Sequence, residues 1–541
     1  MITVQNVTKA YAGKKLFEDV NVGFPPGRRY GLTGPNGAGK STFVKILIGE
    51  VEPDKGFITK PERTGYLRQD HSTFESWRVL DVVISGNKKL WDAMQERDRL
   101  YAKGDKMSDA DGMRAGELEG VVAEEDGYSA EASAGELLSG LGLEVPLHEK
   151  KMSEIPTGSR VRVLLAQAMF GTPQAMILDE PTNNLDLDSI HWLENWLNNY
   201  EGTLITISHD RHFLNEICTH IADIDYETII SYVGNYDDMV IFKSENRSRV
   251  ESENSDKQKK ILQLNDFIAR FSAGTRSSQV QSRKKALEKL DMATLKKSNI
   301  ARPFIRLEQK RPSGKQTLQL EGLKHSYDGK TWIVRDFSCL VTKGERVAIV
   351  GPNGIGKTTL VELIVGRRKP VEGKIVWGHE ASIGYFPQDA REMIPNDTTC
   401  VDYLNNIDPK AGNEVTRGLL GRMLFTGEEG VKPTKALSGG EAVRLLMCRL
   451  MLEQNNVLVM DEPTNHLDLE SISALTDGLK AFPGTAFVVA HDHNLISEVA
   501  TRLFVLKHAP NGRDVEILDF QGTYDEYLQK YPNESRMKKK G

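Results

Sequence analysis

Gly34-Pro35-Asn36-Gly37-Ala38-Gly39-Lys40-Ser41-Thr42 returns later in the chain as Gly351-Pro352-Asn353-Gly354-Ile355-Gly356-Lys357-Thr358-Thr359. Both are GxxxxGK[ST] loops. Their glycines let backbone N–H groups curl around phosphate oxygens, while the lysine and the hydroxyl meet phosphate and Mg²⁺. Each loop follows a short apolar run, residues 29–32 or 346–350, and precedes a helical pattern. One such match arises by chance in a long chain; two in the same setting do not. Lys40 and Lys357 are therefore expected at the β- and γ-phosphates of a nucleotide, and Ser41 and Thr358 at Mg²⁺.

The repetition extends outward from the loops. Tyr66-Leu-Arg-Gln-Asp70 recurs as Tyr385-Phe-Pro-Gln-Asp389, and Met176-Ile-Leu-Asp-Glu-Pro-Thr-Asn183 as Leu458-Val-Met-Asp-Glu-Pro-Thr-Asn465. Ser208-His-Asp210 recurs as Ala490-His-Asp492. The order is the same in both halves, so the chain is one α/β module written twice. Asp179 and Asp461 end apolar runs that read as buried parallel strands, where a carboxylate faces the nucleotide crevice and can hold Mg²⁺ through its water shell. Glu180 and Glu462 come next, placed to polarise an attacking water. Gln69 and Gln388 offer side-chain carbonyls to metal or water, and His209 and His491 can donate to the γ-phosphate. Tyr11 and Tyr327 precede the first loop strand of each copy, where an aromatic either stacks on adenine or belongs to the core.

The spacing locates an insertion. Gln69 to Asp179 is 110 residues and Gln388 to Asp461 is 73, so the first copy carries 37 more. They are best placed near 88–131, an acidic stretch with 7 Lys/Arg against 12 Asp/Glu. Leu90, Met94 and Leu100 keep helical spacing, and Gly104 and Gly112 punctuate, so a short helical hairpin is expected, either solvated decoration or an interaction arm. Between the copies, residues 243–315 hold 19 Lys/Arg and 8 Asp/Glu, a net of +11 that leaves the rest of the chain at −17. Ile261, Leu264, Ile268 and Phe271, then Ala286, Leu287 and Leu290, are spaced helically around Ser272-Ala-Gly-Thr-Arg-Ser-Ser278, which reads as a hairpin tip. A basic tip between acidic modules suits a polyanion, with the acidic remainder discouraging indiscriminate binding.

Composition excludes other classes. Hydrophobic residues make up 39% and charged residues 27%, an ordinary globular mixture. The four cysteines (Cys218, Cys339, Cys400, Cys448) form no CxxC pair, so reduced thiols are expected rather than a disulfide framework or zinc site. No apolar run approaches 18 residues and Met1–Tyr11 does not read as a signal peptide, so a soluble cytoplasmic chain is expected.

Leu437-Ser438-Gly439-Gly440-Glu441 is similar to the signature of ATP-binding cassette proteins, and the whole set of motifs resembles their nucleotide-binding domains. The tandem pair, the arm and the basic inter-cassette hairpin resemble the ABC-F subfamily over essentially the full chain. The short arm and degenerate first signature are most similar to its YbiT-like branch. That resemblance implies a first cassette over 1–242, a helical-hairpin linker over 243–315, a second cassette over 316–530 and a basic tail over 531–541. It implies ATP hydrolysis with ATP and Mg²⁺, the signature of one cassette covering the ATP of the other through Ser438, Gly439 and Gly440. The two cassettes then pair within one monomeric chain. It further implies docking near the ribosomal E site, with the linker reaching toward P-site tRNA and Arg276, Arg283, Lys284 and Lys285 as RNA contacts. The tail Lys538-Lys-Lys540 either touches RNA or is solvated.

One departure stands out. Ile155-Pro-Thr-Gly-Ser159 aligns with Leu437-Ser-Gly-Gly-Glu441, so Pro156 replaces Ser438 with neither a hydroxyl nor an N–H. The two composite sites are expected to be unequal. The competing readings are the motor of a transporter with a separate permease, which gains nothing from a +11 insert, and a chromosome-associated ATPase, which would want zinc modules or long coiled coils.

Overall fold

The computed structural model describes residues 1–246 and 302–531, apart from 12, 13, 36, 68–71, 184, 426, 428, 511 and 512. In the first cassette a six-stranded sheet runs in the spatial order Thr64–Tyr66, Ala175–Asp179, Thr203–Ile207, Arg29–Thr33, His220–Asp225, Thr228–Val233. The pairings are parallel except the last. Ala175–Asp179 and Thr203–Ile207 are buried along their whole length, because helices or a second sheet cover both faces, and this is why they read as continuous apolar runs. A three-stranded antiparallel sheet, with Ile2–Tyr11 between Lys14–Phe24 and Lys55–Thr59, packs on one side of the helix Lys40–Ile48. A helical layer that includes Val79–Ile84, Ala130–Gly140 and Thr157–Met169 covers the other side of the main sheet.

The second cassette repeats this plan. Its main sheet is ordered Ile383–Phe386, Val457–Asp461, Thr485–Val489, Arg346–Val350, Arg502–His508, Val515–Gln521, again with only the last pair antiparallel. The expected strands are present in both copies, each extended by at most one residue.

The insertion forms two helices, Lys88–Tyr101 and Asp109–Glu124, tied by Arg114 to Glu96 at 2.8 Å. Gly112 does not punctuate them. It lies inside the second helix, which Ser108 starts through a capping box with Asp111. Nor is the arm only solvated decoration: Leu90, Leu118 and Val122 join the core of the cassette, and Trp91 stacks on Trp77 at 5.2 Å.

Of the segment between the cassettes, the structure describes only its two roots. A helix over 236–246 leaves the first cassette with Met239 in its core. Residues 302–315 lie along the second cassette, where Ile305 and Leu307 are buried in its core and the Phe304 N–H donates to Arg422. The hairpin tip, Arg276, Arg283, Lys284, Lys285 and the tail lysines lie outside the described residues. Among the described residues no helix is long and apolar enough to cross a membrane.

Candidate active sites

Both phosphate loops are built alike. Gly34 and Gly351 adopt φ of 140° and 151°, and a Cβ on either would stand within 2.7 Å of a carbonyl on the neighbouring strand, Ile224 or Leu506. Only glycine fits there. Gly39 and Gly356 turn into the following helix with left-handed φ, which aims that helix N-terminus at the crevice. Gly37 and Gly354 are likewise left-handed, Ala38 packs against the core and Ile355 is buried in it. Lys40 Nζ donates to the Gly34 carbonyl at 2.6 Å and Lys357 Nζ to the Gly351 and Pro352 carbonyls at 2.8 and 3.0 Å. Each ammonium thus rests on the loop it would share with phosphate. Burial lowers both lysines, Lys357 to about 8.

Asp179 and Asp461 sit at the ends of their buried strands, and burial raises both, Asp461 to about 6. Both carboxylate oxygens of Asp461 are buried without a well-formed hydrogen bond, although the Thr358 hydroxyl lies close enough to oppose the rise. A hard divalent cation would satisfy such orphaned acceptors, so the residues present fit Mg²⁺. Gln388 donates its amide to Glu462 at 3.2 Å, leaving its carbonyl for metal or water; Gln69 and Asn36 lie outside the described residues.

The two glutamates are held by the backbone. Glu180 and Glu462 have φ of 54° and 49°, and their N–H groups donate to Ile207 and Val489 at 2.9 Å. That left-handed turn, costly for a residue with a Cβ, swings the carboxylate from the strand end into the cleft. His209 Nε2 stands 3.3 Å from Glu180 and His491 Nε2 3.6 Å from Glu462. Their electrostatics differ. Burial, reinforced by the Asp179 charge, pushes Glu180 up to about 8. Burial acts the same way on Glu462, but His491, Asn465 and Gln388 outweigh it and hold that carboxylate at about 2. Burial and the Lys40 charge lower His209 to about 4, so its ring is neutral.

Tyr327 donates or accepts at Thr359 Oγ1, 2.9 Å away, with the Arg368 guanidinium over its ring at 4.8 Å; it is 60% exposed, so it is no core aromatic. Tyr11 is also exposed, with Lys9 over its ring.

The cassettes meet head to tail. A cleft of about 630 Å³ has Lys357, Thr358, Gln388, Glu462 and His491 on one wall and Pro156, Gly158, Ser159 and Arg162 on the other. Asp186 of the first cassette accepts from the Asn353 N–H of the second phosphate loop at 3.4 Å and lies 3.9 Å from Arg162. Arg162 in turn donates to the Leu141 and Gly142 carbonyls. On the other site Asp468 and Glu470 of the second cassette bring their charges to Lys40. Ser438, Gly439 and Gly440 begin the helix Gly439–Glu453, the two glycines backing on His466. Sequence reasoning missed Asp186, Asp468, Arg162 and Asn465. The signal was there: Asp186 and Asp468 each follow their Asp-Glu pair at the same distance.

The chain matches the family described as ABC transporter over residues 17–183 and 334–465, and a second model of that description over 222–306. It is 44% identical to "Probable ATP-binding protein YbiT" of Escherichia coli O157:H7 over 98% of this chain and 99% of the relative. It is 46% identical to "Uncharacterized ABC transporter ATP-binding protein YkpA" of Bacillus subtilis over 98% and 97%. It is 31% identical to "ABC transporter F family member 5" of Arabidopsis thaliana over 98% and 77%. Among solved structures, the complex of archaeal ribosomal stalk protein aP1 with ribosome recycling factor aABCE1 shares the fold at a TM-score of 0.63 and 19% identity, covering 98% and 92%. Two phosphate loops, two Asp-Glu strand ends and these relatives converge: the chain is an ATPase and belongs to the ABC-F subfamily of ATP-binding cassette proteins.

Proposed function

We propose that this ATPase is a cytoplasmic translation factor that binds the ribosome in its ATP-closed form and leaves on hydrolysis, working as a single chain. The observation that carries the reading is the +11 segment between two acidic cassettes that close on each other. An extended polyanion draws such a segment while the cassettes repel it, so closure sets where the basic segment points. Docking near the E site with the linker toward P-site tRNA, through Arg276, Arg283, Lys284 and Lys285, is the specific form of the proposal.

In each site the loop N–H groups and Lys40 or Lys357 would hold the β- and γ-phosphates. Ser41 with Asp179, or Thr358 with Asp461, and Gln69 or Gln388, would hold Mg²⁺, which neutralises phosphate charge. Glu180 and Glu462 orient and polarise the attacking water, and His209 and His491 donate to the γ-phosphate. Tyr11 and Tyr327 stack on adenine, and the opposite signature closes the site.

The test is co-purification of the Glu180→Gln chain with ATP: ribosomal RNA supports the proposal, and a membrane protein in its place sinks it. RNA affinity should also fall with salt on a log–log slope of several units, and Arg283→Ala, Lys284→Ala, Lys285→Ala together should flatten it. An unaltered slope removes the linker from the RNA contact.

A further inference from the structure

The root helix over 236–246 is tied to the first phosphate loop by a buried polar chain. Lys243 Nζ pairs with Asp223 and, at 3.0 Å, with Asp225. Both carboxylates are 1% exposed, while the lysine reaches them from a helix whose other side faces water. Asp223 Oδ1 accepts from Thr33 Oγ1 at 3.0 Å, and Thr33 is the residue before Gly34. Ile224, between the two aspartates, supplies the carbonyl on which Gly34 sits, and the Gly34 carbonyl holds Lys40 Nζ. The route from linker root to phosphate loop is therefore continuous and short.

The fold of a cassette does not require it. Strand register places Thr33 opposite Asp223 in the first copy and Val350 opposite Val505 in the second. The position of Asp225 is taken by Lys507, which packs over the rings of Tyr527 and Tyr531 at 5.4 and 5.1 Å. The second cassette closes the same corner with Val505 and Lys507 in place of the two buried acids. Only the copy that leads into the basic segment carries the buried acids, and two buried carboxylates sharing one ammonium are a costlier corner than an apolar one of similar volume. A pocket of about 230 Å³ at this corner is lined by Lys40, Asp223, Tyr236 and Lys243 of the first cassette and Glu470 of the second. The chain of contacts thus also faces the cassette that closes.

We propose that Lys243, Asp223, Asp225 and Thr33 form a polar latch through which ATP in the first site positions the root helix of the inter-cassette segment. ATP draws Lys40 and the loop toward phosphate. Thr33 and the Ile224 seat move with the loop, and the shared carboxylates carry the shift to Lys243. Lys243 is a positioning residue and touches no substrate. By reciprocity, whatever orders the root helix tightens ATP binding at this site by the same factor. The inference needs ATP binding alone, so it stands apart from the ribosome reading.

The test is hydrogen exchange of the 236–246 amides in the full chain carrying Glu180→Gln, with and without ATP and Mg²⁺. The ratio of the two rates is read, because a merely structural role changes both equally. The parent and Lys243→Arg should show amides slowed about fivefold by ATP. The triple variant Asp223→Val, Asp225→Leu, Lys243→Leu, which imitates an apolar corner, should show a ratio near one and a proportionately weaker ATP affinity. If the triple variant does not unfold cooperatively, Lys243→Gln replaces it under the same criterion. A parent ratio near one, or a variant that keeps the parent ratio, overturns the proposal.

Discussion

Restoring a serine to the first signature should speed the second ATP site. Ser438 shows what is lost at Pro156. Its N–H donates to the Glu441 carboxylate at 2.6 Å and its Oγ accepts from the Glu441 N–H at 3.3 Å. The Ser438 hydroxyl lies beside the Glu441 carboxylate and is a donor that a phosphate across the interface can compete for. Pro156 begins its helix with no side-chain cap, no hydroxyl and no N–H, and it lines the cleft opposite Lys357. One missing hydrogen bond to a charged group is worth about 1.5–3 kcal/mol. Felt mainly in the transition state, that is roughly 10- to 150-fold in rate. The first site, facing Ser438, should then carry most turnover and the second should act more as a latch. Glu180→Gln should remove most hydrolysis and trap the closed form, while Glu462→Gln costs less. Adding Pro156→Ser with Thr157→Gly to Glu180→Gln should raise the residual rate by at least the lower end of that range. Single-turnover hydrolysis is the assay, since steady-state rates of coupled sites look alike. If Glu462→Gln is the more damaging change, or the repaired signature leaves the residual rate where it was, the reasoning fails.

Closure should weaken as pH rises, because Asp210 and Asp492 are both raised, by burial first and, for Asp210, by the charge of Asp492. A raised carboxylate takes up a proton on closing, a gain lost as pH climbs through the raised value; Glu498 adds to the rise at Asp492, while His212, held by Glu194 of its own cassette and stacked on His493 at 4.4 Å, opposes it at both aspartates. ATP affinity of the Glu180→Gln chain should fall between about pH 4 and about pH 7, by up to about tenfold per unit, and level off above; Asp210→Asn should flatten the profile, and a flat parent profile refutes it. Replacing residues 88–131 with a short Gly/Ser bridge should leave an active ATPase that is less stable by roughly 3 kcal/mol or more, as read by chemical denaturation, because Leu90, Leu118 and Val122 leave the core along with the Trp77–Trp91 stack; an insoluble product would make the arm indispensable to the cassette. Arg502→Leu should destabilise the second cassette by about 3–5 kcal/mol in the same assay, because a guanidinium 3% exposed pairs with Asp519 and Glu345 at 2.6 Å and its loss leaves them uncompensated.

The parts legible in sequence are those where one local constraint forces one residue type. Gly34 and Gly351 must lack a Cβ, and the strands ending at Asp179 and Asp461 must be apolar throughout because both faces are covered. The arm was legible as a helical pair but not in its punctuation. A capping signal, Ser108 with Asp111, overrides the helix-breaking tendency of Gly112, and a single glycine costs only about 1 kcal/mol inside a helix. What sequence could not show is what two cassettes make together. Asp186 looks like an ordinary helix cap, accepting from the Ser189 N–H, until the second phosphate loop is placed against it. Arg162 and Arg444 occupy equivalent positions, yet one lies near Asp186 at the interface while the other stacks on Phe425. Glu180 and Glu462, identical in motif, also differ in charge tendency: the Asp179 charge adds to burial at one, while His491, Asn465 and Gln388 outweigh burial at the other. A duplicated sequence thus predicts twofold chemistry, whereas the asymmetry resides in the unduplicated neighbours: Pro156 at one signature, Asp223 and Asp225 at one strand, and a linker that can leave only one of the two cassettes.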